Sequence, residues 1–218
     1  MESIERILGW MPALLNATGI TLTLTVTSVC TALVLGIFLA LAKISPYFII
    51  NKPATAYIFF FRGTPLLIQL FIVYFGLPLI NPALTLRRFT AAYIAFSLNI
   101  AAYLAEIIRA AIQSIDKGQM EAARSLGLSY GQAMRLVIIP QSYRRMIPPV
   151  CNEFVMVLKD TALVSIIALN DLAFQTKMIA SNKASALVFI PSLLIYLVLT
   201  ALFTSIFSRL EKKYSVYE

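Results

Sequence analysis

Long stretches without a charged residue constrain this chain more than any other feature of its sequence. Four such stretches, of 36, 24, 17 and 25 residues, lie between Arg6 and Lys43, Arg62 and Arg87, Arg88 and Glu106, and Lys183 and Arg209. A helix needs about 20 apolar residues to cross a bilayer, so these stretches have the length of membrane spans. Only 13% of the 218 residues are charged, and histidine is absent. This composition excludes a soluble enzyme, a disordered chain and a disulfide-stapled secreted domain, and it predicts an integral membrane protein.

The apolar stretches predict an all-α fold with one transmembrane domain over residues 1–218. Five transmembrane helices are expected, at about residues 18–42, 54–80, 89–112, 148–169 and 186–208. Residues 1–17 carry apolar side chains at helical spacing around Trp10, which predicts an amphipathic helix at the membrane interface. Gly63 and Pro65 interrupt the second stretch, so that span is expected to be a broken or kinked helix.

Lysines and arginines are distributed unequally between the two sides of this predicted topology. Eleven lie on the side of the polar segment 113–146, five lie on the other side, and Arg62 and Lys159 lie within spans. Cytoplasmic loops are enriched in these residues, which predicts an external N-terminus and a cytoplasmic C-terminus. Topology thereby accounts for the net charge of +8, and binding to nucleic acid is not expected.

The polar segment 113–146 is expected to form two short helices. Gly127 is predicted to cap the first helix at its C-terminus, where glycine readily adopts the left-handed conformation. Ser129 is predicted to cap the N-terminus of the second helix. That helix is expected to end at Pro140, because proline interrupts the hydrogen-bond ladder of a helix.

The same segment resembles the EAA signature of bacterial ABC-importer permeases. The matching residues are Glu121-Ala122-Ala123, Gly127 and Val137-Ile138-Ile139-Pro140. The family signature ends in I-x-L-P, so Val137 and Ile139 are conservative departures from it. The resemblance implies a coupling helix that docks in a groove of a cytoplasmic ATPase. The residues implied to make this contact are Glu121, Ala122, Ala123, Arg124 and Gly127.

Further motifs are similar to those of the polar amino acid uptake permeases, which include histidine, glutamine and arginine importers. These motifs are Arg62-Gly63-Thr64-Pro65 with Gln69, Asn99 with Ala102 to Glu106, Ser114 to Gln119, and Asn152-Glu153-Phe154 through Leu158 to Thr161. The resemblance implies the ABC type I importer permease fold, a place in the bacterial inner membrane, and amino acid transport by alternating access.

The resemblance also implies partners. These are a second permease subunit, two cytoplasmic ATPase subunits and an extracytoplasmic amino-acid-binding protein. The second permease is expected to be another copy of this chain, although the family also builds heterodimers. ATP and Mg²⁺ are expected on the ATPase subunits. This chain lacks the G-x-x-x-x-G-K loop that cradles ATP phosphates, so it is not expected to be an enzyme or to bind a cofactor or metal.

Two carboxylates stand out within the predicted fourth span. Glu153 and Asp160 are two helical turns apart, so they lie within about 20° on one helix face and about 10 Å apart along the axis, with Met156 on the same face. Ionisable residues inside a membrane mark a transport pathway or a paired site. Two carboxylates attract a cation, which predicts a basic amino acid such as arginine, lysine or histidine as the substrate. Alternatively, Asp160 pairs with Lys159 or Arg62 and only stabilises packing.

Other polar residues in the spans are weaker candidates. Asn99, Gln69 and Thr161 are further candidate substrate contacts, but Asn99 and Gln69 could instead form hydrogen bonds between helices. Glu106 and Arg109 are expected to form a structural ion pair near the cytoplasmic end of the third span.

Several alternative functions stay open at this point. A related importer could carry neutral or acidic amino acids such as glutamine. A stand-alone carrier could use Glu153 or Asp160 as a cation site and would work without ATP. An intramembrane enzyme is less supported, because the sequence lacks histidine, a paired-Asp catalytic motif and a supported Ser/Lys dyad. A scaffold without transport activity is also less supported, because it would leave the two carboxylates unexplained.

Overall fold

A computed structural model describes the backbone of residues 2–215 and the side chains of residues 5–212. Every regular element in this range is helical. In chain order the α-helices are α1 (Glu2–Ile44), α2 (Phe48–Gly63), α3 (Leu66–Phe71), α4 (Leu77–Ile80), α5 (Arg88–Gln113), α6 (Lys117–Ser125), α7 (Tyr130–Ala133), α8 (Ile139–Asp160), α9 (Leu172–Asn182) and α10 (Phe189–Ser215). Short π-helical turns at Ile72–Gly76 and Met134–Ile138 join α3 to α4 and α7 to α8.

The parallel pair α1 and α5 forms the centre of the fold. Thr31 bonds to Tyr93 near one end of the pair, and Lys43 reaches Glu106 near the other. Between them, a Cβ on Gly36 would lie only 3.0–3.2 Å from atoms of α5. Small residues let membrane helices approach this closely, and the contact is stabilised by van der Waals packing.

The first helix corrects one prediction. Residues 1–17 were expected to form a separate interfacial helix, but α1 continues without a break from Glu2 into the first span. Its 43 residues extend over roughly 64 Å, about twice the thickness of a bilayer core. Trp10 and Met11 pack against an apolar cluster built by α1, α9 and α10. Packing on protein therefore holds this part of α1 in line with the span.

The second span is broken, as predicted. Helix α2 ends at Gly63, and the following helix, Leu66–Ile80, is inclined to it by 102°. Thr64 and Pro65 between them have extended backbone conformations. The third span, α5, covers the predicted residues.

The polar segment follows the prediction in its first half. Gly127 has a φ of +86°, and its N–H donates to the Arg124 carbonyl to close α6. Ser129 and Gln132 form a capping box at the start of α7. The second helix does not end at Pro140, however. A π-turn over Met134–Ile138 precedes the proline, so the chain enters α8 without a break.

The fourth span also differs from the prediction. Helix α8 begins at Ile139, runs through Pro148 and Pro149, and ends at Asp160. A 3₁₀ helix, Thr161–Ile167, and a left-handed residue, Ala168, follow it. The predicted span 148–169 is therefore not one helix. Over the described residues, three helices are long and apolar enough to cross a membrane, or four if the bent pair counts as one span, against five predicted.

Helix α9 was not predicted. Asp171 caps it by accepting hydrogen bonds from the backbone N–H groups of Ala173 and Phe174, at 3.2 and 2.8 Å. This buried carboxylate explains why a helix begins here, since it satisfies donors that the first turn leaves unpaired. The last helix, α10, starts at Phe189, close to the predicted residue 186.

Candidate functional site

A pocket of about 170 Å³ lies between α5, α8 and the break after α2. We call it the upper pocket. The residues that line it are Thr64, Pro65, Leu66, Phe96, Asn99, Ile100, Tyr103, Glu153, Met156, Val157 and Asp160. Four of the six candidate substrate contacts, Asn99, Glu153, Met156 and Asp160, are therefore brought together by the fold.

The two carboxylates of α8 line this pocket without an ionic partner. None of the salt bridges among residues 5–212 involves Glu153 or Asp160. Met156, between them on the same helix face, is 54% exposed. The pocket thus has two negative charges that no neighbouring cation neutralises by direct contact.

Arg62 does not pair with Asp160. Its guanidinium lies over the ring of Tyr103, with its carbon 5.3 Å from the ring centre, and its Nη1 is 3.9 Å from Oε2 of Glu106. Lys159, the other possible partner of Asp160, has an exposed side chain and forms no salt bridge within the described residues. Asp160 therefore forms no salt bridge with either of its two possible partners in this structure.

The break after α2 is held by two amides. Proline has no N–H, so Pro65 leaves the carbonyl of Phe61, four residues earlier, without its helical donor. Nε2 of Gln69 and Nδ2 of Asn99 both donate to this carbonyl at 3.0 Å. Asn99 also donates to Oε1 of Gln69 at 2.9 Å, and Gln69 donates to Oγ1 of Thr64 at 2.7 Å. These amides fix the unwound backbone that forms one wall of the upper pocket.

Gln69 and Thr161 do not line the upper pocket. Gln69 lies behind its wall and is almost fully buried. Thr161 is fully buried, and its hydroxyl donates to the Leu158 carbonyl at 2.8 Å at the end of α8. The structure gives both side chains backbone partners.

Tyr103 and the Thr64–Pro65 segment were not among the candidate contacts, yet both line the pocket. The sequence carried a signal for each. Tyr103 is one helical turn after Asn99, so it shares a face with it. Thr64 and Pro65 are the residues at which the helix was predicted to break, and non-helical backbone within a membrane lines a cavity or packs on protein.

Glu106 is the centre of a cluster of cations from three helices. It forms salt bridges with Lys43 of α1 and with Arg109 of α5, the latter at 2.7 Å, and it is approached by Arg62 of α2. The predicted Glu106–Arg109 pair is thus present within a larger cluster. Beside this cluster lies a second cavity of about 380 Å³, the lower pocket, whose lining includes Lys43, Arg62, Gly63 and Tyr103.

Helix α6 presents most of the predicted coupling residues at the surface. Glu121, Ala122, Arg124 and Gly127 are exposed, whereas Ala123 is buried and anchors the helix. Leu126, which was not among the predicted coupling residues, is 84% exposed at the end of α6. An apolar side chain so exposed is suited to burial against another protein.

A comparison with protein families matches residues 32–216 to a family described as the binding-protein-dependent transport system inner membrane component. Among individual relatives, the arginine transport system permease protein ArtQ of Bacillus subtilis strain 168 is 42% identical and covers 93% of both chains. The glutamine transport system permease protein GlnP of Escherichia coli strain K12 is 35% identical and covers 94% of both.

Solved structures give the same result for the fold. The structure described as an amino acid ABC transporter with histidines matches with a TM-score of 0.90 and 40% identity, over 95% of this chain and 97% of the other. An inward-facing structure of the MetNI methionine ABC transporter matches with a TM-score of 0.80, over 94% and 98%, at 19% identity, which concerns the fold alone. The predicted all-α permease fold and the resemblance to amino acid importer permeases are confirmed.

Proposed function

The chain belongs to the family of binding-protein-dependent transport system inner membrane components, and we propose that the amino acid it moves is a basic one. The chain is an amino acid ABC transporter permease, a multi-pass inner-membrane protein whose family works with separate ATPase and substrate-binding subunits. The observation that carries the proposal is the pair Glu153 and Asp160, which face one pocket without a salt bridge to any cation of the described residues.

The chemistry of the pair favours a cationic cargo. A charge removed from water is costly unless it is paired, so two unpaired carboxylates favour a ligand that supplies positive charge. Arginine, lysine and protonated histidine each carry a side-chain cation besides the α-ammonium group. Charge-assisted hydrogen bonds to both carboxylates would hold two such groups. The relative named for arginine transport supports this assignment.

The test is uptake by the reconstituted importer. We expect Glu153→Gln and Asp160→Asn each to lower arginine uptake at least tenfold, the loss of about 1.4 kcal/mol that one charge-assisted hydrogen bond provides. Glu5→Gln, which removes a carboxylate from an exposed position of α1, is the control and is expected to transport normally. Unchanged arginine uptake in both pocket variants would refute the basic substrate.

A neutral substrate is the second candidate, and one observation favours it. The family includes relatives named for glutamine transport, at 35% and 39% identity. Glutamine would need only its α-ammonium group at the carboxylates. Competition of labelled arginine uptake by unlabelled glutamine and lysine separates the two: displacement by lysine supports the basic substrate, and displacement by glutamine alone opposes it.

The partners follow from the same proposal. We propose that two copies of this chain enclose the path, with the N-terminus outside and the C-terminus in the cytoplasm, and that ATP and Mg²⁺ bind the two ATPase subunits. The ATPase subunits would dock on exposed residues of α6 and of the turn that follows it, with buried Ala123 beneath them. These residues are Glu121, Ala122, Arg124, Leu126 and Gly127. ATP binding would open the pair outward, and hydrolysis would return it to the inward-facing state. Uptake without the ATPase subunits would instead indicate a stand-alone carrier.

A further inference from the structure

The upper and lower pockets are adjacent and share a boundary. The break after α2 divides them, since Gly63 lines the lower pocket whereas Thr64 and Pro65 line the upper one. Tyr103 lines both pockets. Tyr103 therefore lies at the boundary between the two pockets.

Arg62 contacts the boundary between the two pockets from the side of the lower pocket. It is the last charged residue before the break, and it lines the lower pocket but not the upper one. Its guanidinium stacks on Tyr103 at 5.3 Å and reaches Glu106 at 3.9 Å. The cation–π contact with Tyr103 and the ion pair with Glu106 thus fix the Arg62 side chain between the pocket boundary and the charge cluster around Glu106.

The two pockets have opposite charge. Two unpaired carboxylates, Glu153 and Asp160, face the upper pocket. Three cations, Lys43, Arg62 and Arg109, converge on the single carboxylate of Glu106 below, which leaves an excess of two positive charges (three minus one). A positive field beneath a negative pocket retains cations above and opposes their passage downward.

We propose that Arg62 is a charged gate between the upper and the lower pocket, held closed by Tyr103 and Glu106. The lower pocket includes Lys43, at the end of α1 that the predicted topology places on the cytoplasmic side. The proposal rests on the proposed function in one respect, namely that the cargo passes through the upper pocket. A cation in the upper pocket meets Arg62 as the first charge on its way down. Passage requires the Arg62 side chain to swing away from Tyr103, with Glu106 as the anion that keeps its charge compensated.

The test measures access and requires neither ATP nor an amino acid. Met156, exposed in the upper pocket, is replaced by cysteine in a chain that also carries Cys30→Ser and Cys151→Ala, with the whole importer in inverted membrane vesicles. Two membrane-impermeant methanethiosulfonate reagents of similar size, one cationic and one anionic, are added from the cytoplasmic side. Their rates of reaction with the Met156→Cys thiol are compared in chains with Arg62, Arg62→Gln and Arg62→Lys.

We expect Arg62→Gln to raise the rate of the cationic reagent about tenfold, because a repulsive charge is removed from the partly screened route to the thiol. The anionic reagent should not react faster and is expected to slow, because the charge that attracted it is gone. Arg62→Lys keeps the charge and should leave both rates close to those of the parent. Glu106 keeps its bridges to Lys43 and Arg109 in these variants, so the helices remain joined.

A second measurement needs no change at Arg62. In the parent, the ratio of cationic to anionic labelling should be several-fold lower from the cytoplasmic side than in right-side-out vesicles, since only the cytoplasmic route passes Arg62. Equal ratios from the two sides, or Arg62→Gln rates that are unchanged or rise equally for both reagents, would overturn the gate. Failure of the basic-substrate proposal would appear only in the uptake assay, so the two results are distinguishable.

Discussion

The amides of Asn99 and Gln69 show how one backbone defect determines the role of neighbouring side chains. Pro65 leaves the Phe61 carbonyl without a helical donor inside the membrane, where water cannot replace it. Two amide groups from different helices supply the missing hydrogen bonds at 3.0 Å. The unwound Thr64–Pro65 wall of the upper pocket therefore depends on residues that do not all contact the pocket.

This arrangement predicts strong coupling between the two amides. We expect Asn99→Leu and Gln69→Leu each to destabilise the protein by about 1–3 kcal/mol, because each change leaves a buried polar group less well paired. The double variant should lose clearly less than the sum, since both residues belong to one network. Thermal unfolding in detergent measures the effect. Asn16→Leu, at an exposed position of α1, is the control, and strict additivity in the double variant would contradict the network.

Residue-level reasoning from the sequence reached part of the candidate site. Helical spacing placed Glu153, Met156 and Asp160 on one face, and the structure has all three in one pocket. The same spacing could not tell whether Thr161 continues that face. It does not, because the chain leaves α-helical geometry after Asp160 and turns the Thr161 side chain into the protein interior.

At the scale of helices, close approach of α1 and α5 is the feature most open to test. A Cβ on Gly36 would lie 3.0 Å from Cβ of Leu104 and 3.2 Å from the carbonyl oxygen of Ala101, and a backbone atom cannot move aside freely. Gly19, on the same helix, has nothing within 4 Å of such a Cβ. The two glycines therefore form a matched pair.

We expect Gly19→Ala to be neutral or to stabilise the protein by up to about 1 kcal/mol, because alanine is the better helix former. Gly36→Ala should instead destabilise it, with a difference between the two variants of about 1–3 kcal/mol from overpacking. Melting temperatures of the purified variants measure the difference. A Gly36→Ala protein as stable as Gly19→Ala would show that α1 and α5 do not pack this closely.

Helix boundaries were the least predictable part of the fold, for identifiable reasons. Pro140 is an ordinary helix terminator, but the π-turn before it changes the hydrogen-bond pattern so that the missing N–H is tolerated. Pro148 and Pro149 release the carbonyls of Arg144 and Arg145, which are exposed residues. The surrounding structure therefore determines whether each of these prolines ends a helix, and the amino-acid composition carries no information about those surroundings. The start of α9 was also not predicted, although Asp171 before an apolar segment is a typical N-terminal signal of a helix.

At the scale of the whole molecule, the proposed transport pocket and the proposed docking surface for the ATPase subunits lie on different parts of one chain. The upper pocket is built by α5, α8 and the break after α2, whereas the exposed coupling residues belong to α6. Helix α6 is joined directly to α5 through Ser114–Asp116, and Arg145 of α8 donates to the Ser114 carbonyl. A force on α6 therefore reaches the two helices that carry the pocket.

This separation predicts that docking can be lost while the pocket stays intact. We expect Leu126→Ala to reduce ATP-driven uptake at least tenfold and to weaken co-purification of the ATPase subunits, because an 84% exposed leucine buried in an interface contributes about 2 kcal/mol. Binding of labelled arginine to the purified importer should be unchanged. Leu79→Ala, at a leucine that is 86% exposed but distant in sequence from α6, is the matched control and should retain ATPase subunits at the parent level. Full uptake by Leu126→Ala would show that α6 is not the docking surface. Loss of arginine binding together with uptake would show that the pocket and the coupling helix are not independent sites.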